Sequence, residues 1–189
     1  MRTCLAVILT VAFAAPATAQ MGGDPTITAL KGQFGMIQDY VTKSSDKGGE
    51  DLYAFQPTPE VRTYGKLLAH IADGNYLFCS AVKGEKSPVE MMSIEKTKTT
   101  KADIQKALAD SYAYCDGAFG ALTPAKAGEA VDFFGMQQTR LSMLSLGVSH
   151  NFEHYGNLVT YMRMKKIVPP STEQQQQRQQ QPAQPKTGE

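Results

Sequence analysis

The chain contains three histidines, His70, His150 and His154. Imidazole titrates near neutral pH and is the commonest side-chain ligand for metal ions. His150 and His154 are four residues apart, so on a helix both rings leave one side, about 6 Å apart along the axis, which is a chelating spacing. His70 falls in the middle of another apolar-striped segment, to one side of its stripe at roughly 100° per residue. Thr63, Gly74 and Ala81 share its face, and Gly147 stands one turn before His150. Glycine inside a helix costs about 1 kcal/mol relative to alanine, so Gly74 and Gly147 argue for space kept for an ion and something bound to it. Three neutral nitrogens leave zinc one open position and nickel two or three, which permits hydrolysis or thiol transfer. Either reaction needs a proton acceptor nearby. Asp73, one turn beyond His70, and Glu153, between the paired histidines, are the candidate catalytic residues, although each points about 60° or more away from its neighbouring histidine. That direction suits a solvated charge or a supporting partner of the site better than a direct catalytic role. Asn151 and Tyr155 lie on the apolar stripe, where they can orient a ligand or simply pack.

Four helical segments can position these groups, marked by start signals and by apolar spacings of three and four. Asp24-Pro25 opens the first, with Ile27, Leu30, Phe34, Ile37 and Val41 on one face and Gly48-Gly49 beyond its end. Thr58-Pro59 opens the second, because threonine caps and proline suits a first turn. Its stripe is Tyr64, Leu67, Leu68, Ile71, Phe78 and Val82, and Gly84 closes it. Thr100, with Asp103 three residues on, opens the third, which carries Ile104, Leu108, Tyr112 and Phe119. The fourth runs from about Gln137 to about Lys166 with Leu141, Leu144, Val148, Phe152, Tyr155, Leu158, Val159 and Met162, and stops before Pro169-Pro170. No alternating strand pattern competes, so the expected class is an all-α four-helix bundle. The connection from Gly84 to Thr99 is long enough to run back along such a bundle, which would make helices two and three parallel. Cys79 and Cys115 would then lie at one level, and both a Cys79–Cys115 disulfide and two buried free thiols are compatible with the sequence.

The ends of the chain have a different character. Arg2, an apolar run from Leu5 to Ala15 and the small residues Ala17-Thr18-Ala19 read as a secretory signal peptide over residues 1–19, cleaved after Ala19, which implies a periplasmic or secreted protein. Cys4 would leave with it. Its apolar run is too short for a permanent anchor, and no later segment approaches the roughly 20 apolar residues of a transmembrane helix, so no stable membrane insertion is expected. Cleavage removes Arg2, one of 19 basic residues, leaving 18 against 18 acidic ones. A neutral chain is poorly matched to nucleic acid, whose phosphates call for a basic stripe. Residues 20–170 suffice for one domain, whereas residues 171–189 hold eight glutamines and no large apolar side chain. They read as a disordered Gln/Pro-rich tail that cannot offset the cost of ordering.

The block HNFEHYGNLVTYMRMKKIVPP resembles the closing helix of the DinB/YfiT-like metalloproteins: histidine, three residues, histidine, an aromatic, glycine, then a tyrosine-containing stretch ending in Pro-Pro. YAFQPTPEVRTYGKLLAHIADGNYLFC is similar to that family's second helix and KADIQKALADSYAYCDGAF to its third, and the resemblance covers nearly the whole of Ala29 to Ser171. It implies an up-down-down-up bundle and a divalent ion, zinc or nickel, held by one histidine of helix two and two of helix four, positions matched here by His70, His150 and His154. The export signal and the glutamine tail depart from the family pattern, whose best understood members are intracellular enzymes using low-molecular-weight thiols.

Two function classes follow. One is an exported metal-dependent hydrolase or transferase acting on a small electrophile. The other is a metal-binding or metal-stabilised bundle without turnover, in which the ion pins helix two to helix four. The expected partner is a small-molecule substrate or ligand, and a homodimer is compatible with the sequence.

Overall fold

A computed structural model describes residues 24–180, so the export segment expected over residues 1–19 lies outside the described residues, as do residues 181–189. Four long helices, α1 (Pro25–Asp46), α3 (Tyr64–Lys83), α5 (Lys101–Gly120) and α7 (Arg140–Met164), form the bundle. Between and after them come the short helices α2 (Glu50–Tyr53), α4 (Ser93–Thr97) and α6 (Pro124–Ala127), the strands β1 (Ala130–Phe133) and β2 (Met136–Thr139), and a last helix α8 (Pro170–Gln180).

Local chemistry sets most of the boundaries. The Asp24 carboxylate accepts the N–H groups of Thr26 at 2.8 Å and Ile27 at 3.2 Å, satisfying donors that a first turn leaves without partners. Thr100 accepts the Asp103 N–H at 3.2 Å and donates its hydroxyl to the Asp103 carboxylate at 2.9 Å. Helix α3 starts later than the Thr58-Pro59 signal. Its cap is Thr63, whose hydroxyl accepts the Lys66 N–H at 3.2 Å. The Tyr64 N–H donates back to the Phe55 carbonyl at 2.9 Å, and the Gln56 amide donates to the carbonyls of Pro59 and Val61, so residues 56–63 close on themselves as a loop. Gly84 ends α3 at φ 70°, a left-handed cap that glycine adopts without a steric penalty.

The stripes read from the sequence form the core. All the apolar positions anticipated in the first three helices are buried, from Ile27 and Val41 through Leu68 and Ile71 to Leu108 and Phe119. In α7 the stripe departs at Phe152, which is 38% exposed. Side-chain pairings give the helix directions. Asn75 meets Ser111 and Cys79 meets Cys115, both across a separation of 36 residues, so α3 and α5 run the same way. His70 lies beside His154, and Gly74 beside His150, so α3 and α7 run oppositely. The crossover carrying α4 makes the first relation possible by returning the chain along the bundle.

Two regions differ from expectation. Residues 130–139 form an antiparallel hairpin with Ala130 opposite Thr139 and Phe133 opposite Met136. Phe134 at φ 54° and Gly135 at φ 79° make the two-residue turn, with the pair of positive φ angles that matches strand twist. Both residues of β2 nearest the helix are glutamine or threonine with little burial, so no alternation announces the strand. Helix α7 therefore begins at Arg140, behind a Thr139–Ser142 capping box, rather than near Gln137. The tail expectation also fails over residues 171–180, which are helical in α8. Anchoring there is polar: Ser171 donates its N–H to the Tyr155 hydroxyl at 3.0 Å, the Tyr40 hydroxyl donates to Gln174 at 2.6 Å, and Lys47 pairs with Glu173 at 2.7 Å. Glutamine is a good helix former, so few anchors suffice. No helix among the described residues is long and apolar enough to cross a membrane.

Candidate metal centre

Antiparallel packing of α3 on α7 brings His70 against the His150–His154 pair. The His150 Nε2 lies 3.2 Å from the Nε2 of His70 and 3.1 Å from that of His154. The three rings are mutually tilted, with centroids 5.1, 4.8 and 4.4 Å apart, so their Nε2 edges converge while the ring bodies diverge. Hydrogen bonding alone leaves this arrangement poorly satisfied, because a single Nε2 has one in-plane donor or acceptor direction and that of His150 faces two partners. The Nδ1 atoms of His150 and His154 are buried without a hydrogen-bond partner among the described residues. Three converging imidazole nitrogens form a group able to hold a divalent ion.

Space at the centre depends on Gly74. A Cβ there would lie 2.9 Å from the His150 Nδ1 and closer still to the ring carbon beside it, so only glycine lets α3 approach that imidazole. Gly147 serves differently from the expectation: a Cβ there would meet Phe78 at 3.3 Å, and Phe78 in turn faces the His150 ring at 5.3 Å. The glycine admits an aromatic wall rather than the ion.

Burial holds the histidines neutral. It pushes all three below the ordinary imidazole range, and in His150, crowded also by His154 and His70, the pKa falls to about 3. In His70 burial and Arg62 lower the value while Glu95 works the other way. Neutral imidazoles are the form that ligates.

Of the two candidate proton acceptors, Asp73 is buried, and its carboxylate accepts the N–H groups of Ile94 at 3.1 Å and Glu95 at 2.8 Å. It is therefore neither a solvated charge nor a free base. Glu153 is exposed and lines a cleft of about 680 Å³ together with His154, Arg62, Lys66, Asn157 and Tyr161. Asn151 and Tyr155 pack. Asn151 accepts from the Tyr112 hydroxyl at 2.7 Å and donates to Asn75 at 2.9 Å, and Tyr155 stacks on Tyr40 at 5.2 Å. The residue that sequence reasoning missed is Glu95, whose carboxylate is 3.1 Å from His70 Nδ1 and accepts from Arg62 Nε at 2.9 Å. It sits in the crossover, outside every apolar stripe, and no spacing pointed to it. Below the centre Cys79 and Cys115 are joined as a disulfide with Cα atoms 5.3 Å apart, tying α3 to α5.

The sequence pattern of the DinB superfamily matches residues 33–158. The chain belongs to the DinB superfamily. YjoA, an uncharacterized protein of Bacillus subtilis (strain 168), is 28% identical over 124 residues, 63% of this chain and 77% of YjoA. The crystal structure of YjoA, a DinB-like protein, aligns with a TM-score of 0.62 at 21% identity over 76% of this chain and 96% of its own. A DinB-like protein of Bacillus cereus ATCC 10987 aligns with a TM-score of 0.66 at 19% identity, covering 76% of this chain and 95% of that one. The mycothiol-dependent maleylpyruvate isomerase has the fold as well, with a TM-score of 0.58 at 15% identity over 70% of this chain and 60% of its own. In this DinB superfamily chain His70, Glu95, His150 and His154 all fall inside the matched span.

Proposed function

We propose that this is an exported DinB superfamily protein that binds one zinc or nickel ion at His70, His150 and His154 and uses it in hydrolysis or group transfer on a small electrophile. The observation that carries the reading is the convergence of three neutral imidazoles, with the His150 Nε2 3.2 Å from that of His70 and 3.1 Å from that of His154, and with His154 lining an open cleft. A divalent ion with three imidazole ligands keeps a position open and supplies Lewis acidity toward water or a thiol. The chain's own residues do the rest. His154 and Glu153 both line the cleft, which supports Glu153 as the group that takes a proton from an incoming nucleophile, and Arg62 and Lys66 bring positive charge to the same cleft. Phe78 packs edge-on against the His150 ring, with centroids 5.3 Å apart. The likeness to an isomerase named for its thiol dependence supports including thiols among the co-substrates tested.

A second reading, a metal-stabilised bundle without turnover, is favoured by one specific observation: Asp73 is committed to α4 and Glu95 to His70 and Arg62, which leaves the exposed Glu60 and Glu153 as the other carboxylates lining the cleft. Zinc- and nickel-loaded protein should be assayed with an activated ester, and with a chloroarene plus a small thiol, beside the triple variant His70→Ala, His150→Ala, His154→Ala. Turnover that disappears in the triple variant supports the enzyme. A raised melting temperature with metal and no turnover in either assay supports the stabilised bundle.

A further inference from the structure

Helix α4 has five residues and an unusual start. Its N-cap position is Met92, at φ 59°, and no side chain of its own segment caps it. A non-glycine residue in that region persists only where surrounding contacts over-determine it. Here the contacts come from α3: the two oxygens of Asp73 accept the N–H groups of Ile94 and Glu95, and the Ile94 side chain is buried beneath. Asp73 thus docks the start of α4 onto the helix that carries His70, one turn away. The result is a fixed place for the Glu95 side chain, which is 13% exposed and uses both oxygens, one toward His70 Nδ1 at 3.1 Å and one on Arg62 Nε at 2.9 Å. Arg62 is itself held by α7, because the Tyr161 hydroxyl donates to its carbonyl at 3.1 Å.

The three histidines are unequal in this respect. Only His70 has a partner on its Nδ1, while those of His150 and His154 have none among the described residues. We propose that Glu95 is the positioning residue of the histidine centre and that Asp73 and α4 serve to present it. An ionised carboxylate on Nδ1 requires the proton there, which leaves the Nε2 lone pair free and turned toward His150. Arg62 donates to the other oxygen and stops the carboxylate from rotating away. This rests on the metal-binding reading above, but it makes a claim about the metal-free protein as well.

The test uses the mature chain and its variants Glu95→Ala, Glu95→Gln and Asp73→Asn. Imidazole tautomers are read by nitrogen-15 NMR without metal, and zinc affinity by competition with a chromophoric chelator. The proposal expects His70 protonated on Nδ1 in the wild type and shifted toward the Nε2-protonated form in Glu95→Ala. Zinc affinity should fall about 10- to 100-fold in Glu95→Ala, recover in part in Glu95→Gln, whose carbonyl still accepts from Nδ1, and fall in Asp73→Asn although that residue touches no histidine. Wild-type affinity in Glu95→Ala, or a wild-type His70 protonated on Nε2, overturns it. If Glu95→Ala does not fold, the wild-type tautomer and the Glu95→Gln affinity decide. If the wild type binds no zinc, the metal reading fails and the tautomer alone still decides the role of Glu95.

Discussion

The Nε2 atoms of His70 and His150 lie 3.2 Å apart although the two residues belong to different helices far apart in the chain. Antiparallel packing of α3 on α7 creates the contact, and the missing side chain of Gly74 permits it. The first prediction concerns that glycine. Alanine there gains about 1 kcal/mol of helix propensity but drives a methyl group into the His150 ring, which must turn away. Gly74→Ala should leave the melting temperature of the metal-free protein within a few degrees of the wild type while weakening zinc binding at least tenfold, as read by chelator competition.

Acid should destabilise the metal-free protein through its histidines. Above the ordinary value of 6.5 both folded and unfolded chains carry neutral imidazoles, so burial costs nothing there. As pH falls from 6.5 toward about 3, the unfolded chain takes up protons that buried His150 refuses, and stability is lost across that window. Urea unfolding at several pH values should show a shallower decline in His150→Gln than in the wild type.

The same neutrality bears on metal binding. Ligands already deprotonated at pH 7.5 have no proton to give up. Calorimetric titration of zinc in two buffers of different ionisation enthalpy should return close to zero protons released by the imidazoles at pH 7.5, with uptake competing only below pH 6.5.

The disulfide should matter for stability more than for the site. Closing a loop across a separation of 36 residues corresponds in the chain-entropy account to about 4 kcal/mol. Cys79→Ser with Cys115→Ser should lower the unfolding free energy by 2 to 4 kcal/mol, on the order expected for such a bridge, while zinc stoichiometry is retained.

Much of this was legible in the sequence. Apolar spacing gave the four long helices, and the stripes from Ile27 to Phe119 are buried as read. The three histidines converge because spacing placed two on one helix face and one at mid-depth of another. What escaped the reading shares a physical cause. Glu95 sits on a five-residue helix held by tertiary contacts rather than by its own periodicity, and Asp73, for which the sequence allowed a proton acceptor, a solvated charge or a supporting partner, is the residue that docks that helix. The hairpin escaped because its exposed second strand has no apolar alternation, and α8 because polar anchors such as Tyr40 with Gln174 leave no hydrophobic signature.

The most direct test of the metal centre is elemental mass spectrometry on untagged protein beside the triple variant His70→Ala, His150→Ala, His154→Ala, each incubated with zinc and nickel and then desalted. The account predicts close to one ion per wild-type chain and none in the variant. A wild type that stays empty, or a variant that retains the same ion, would contradict it.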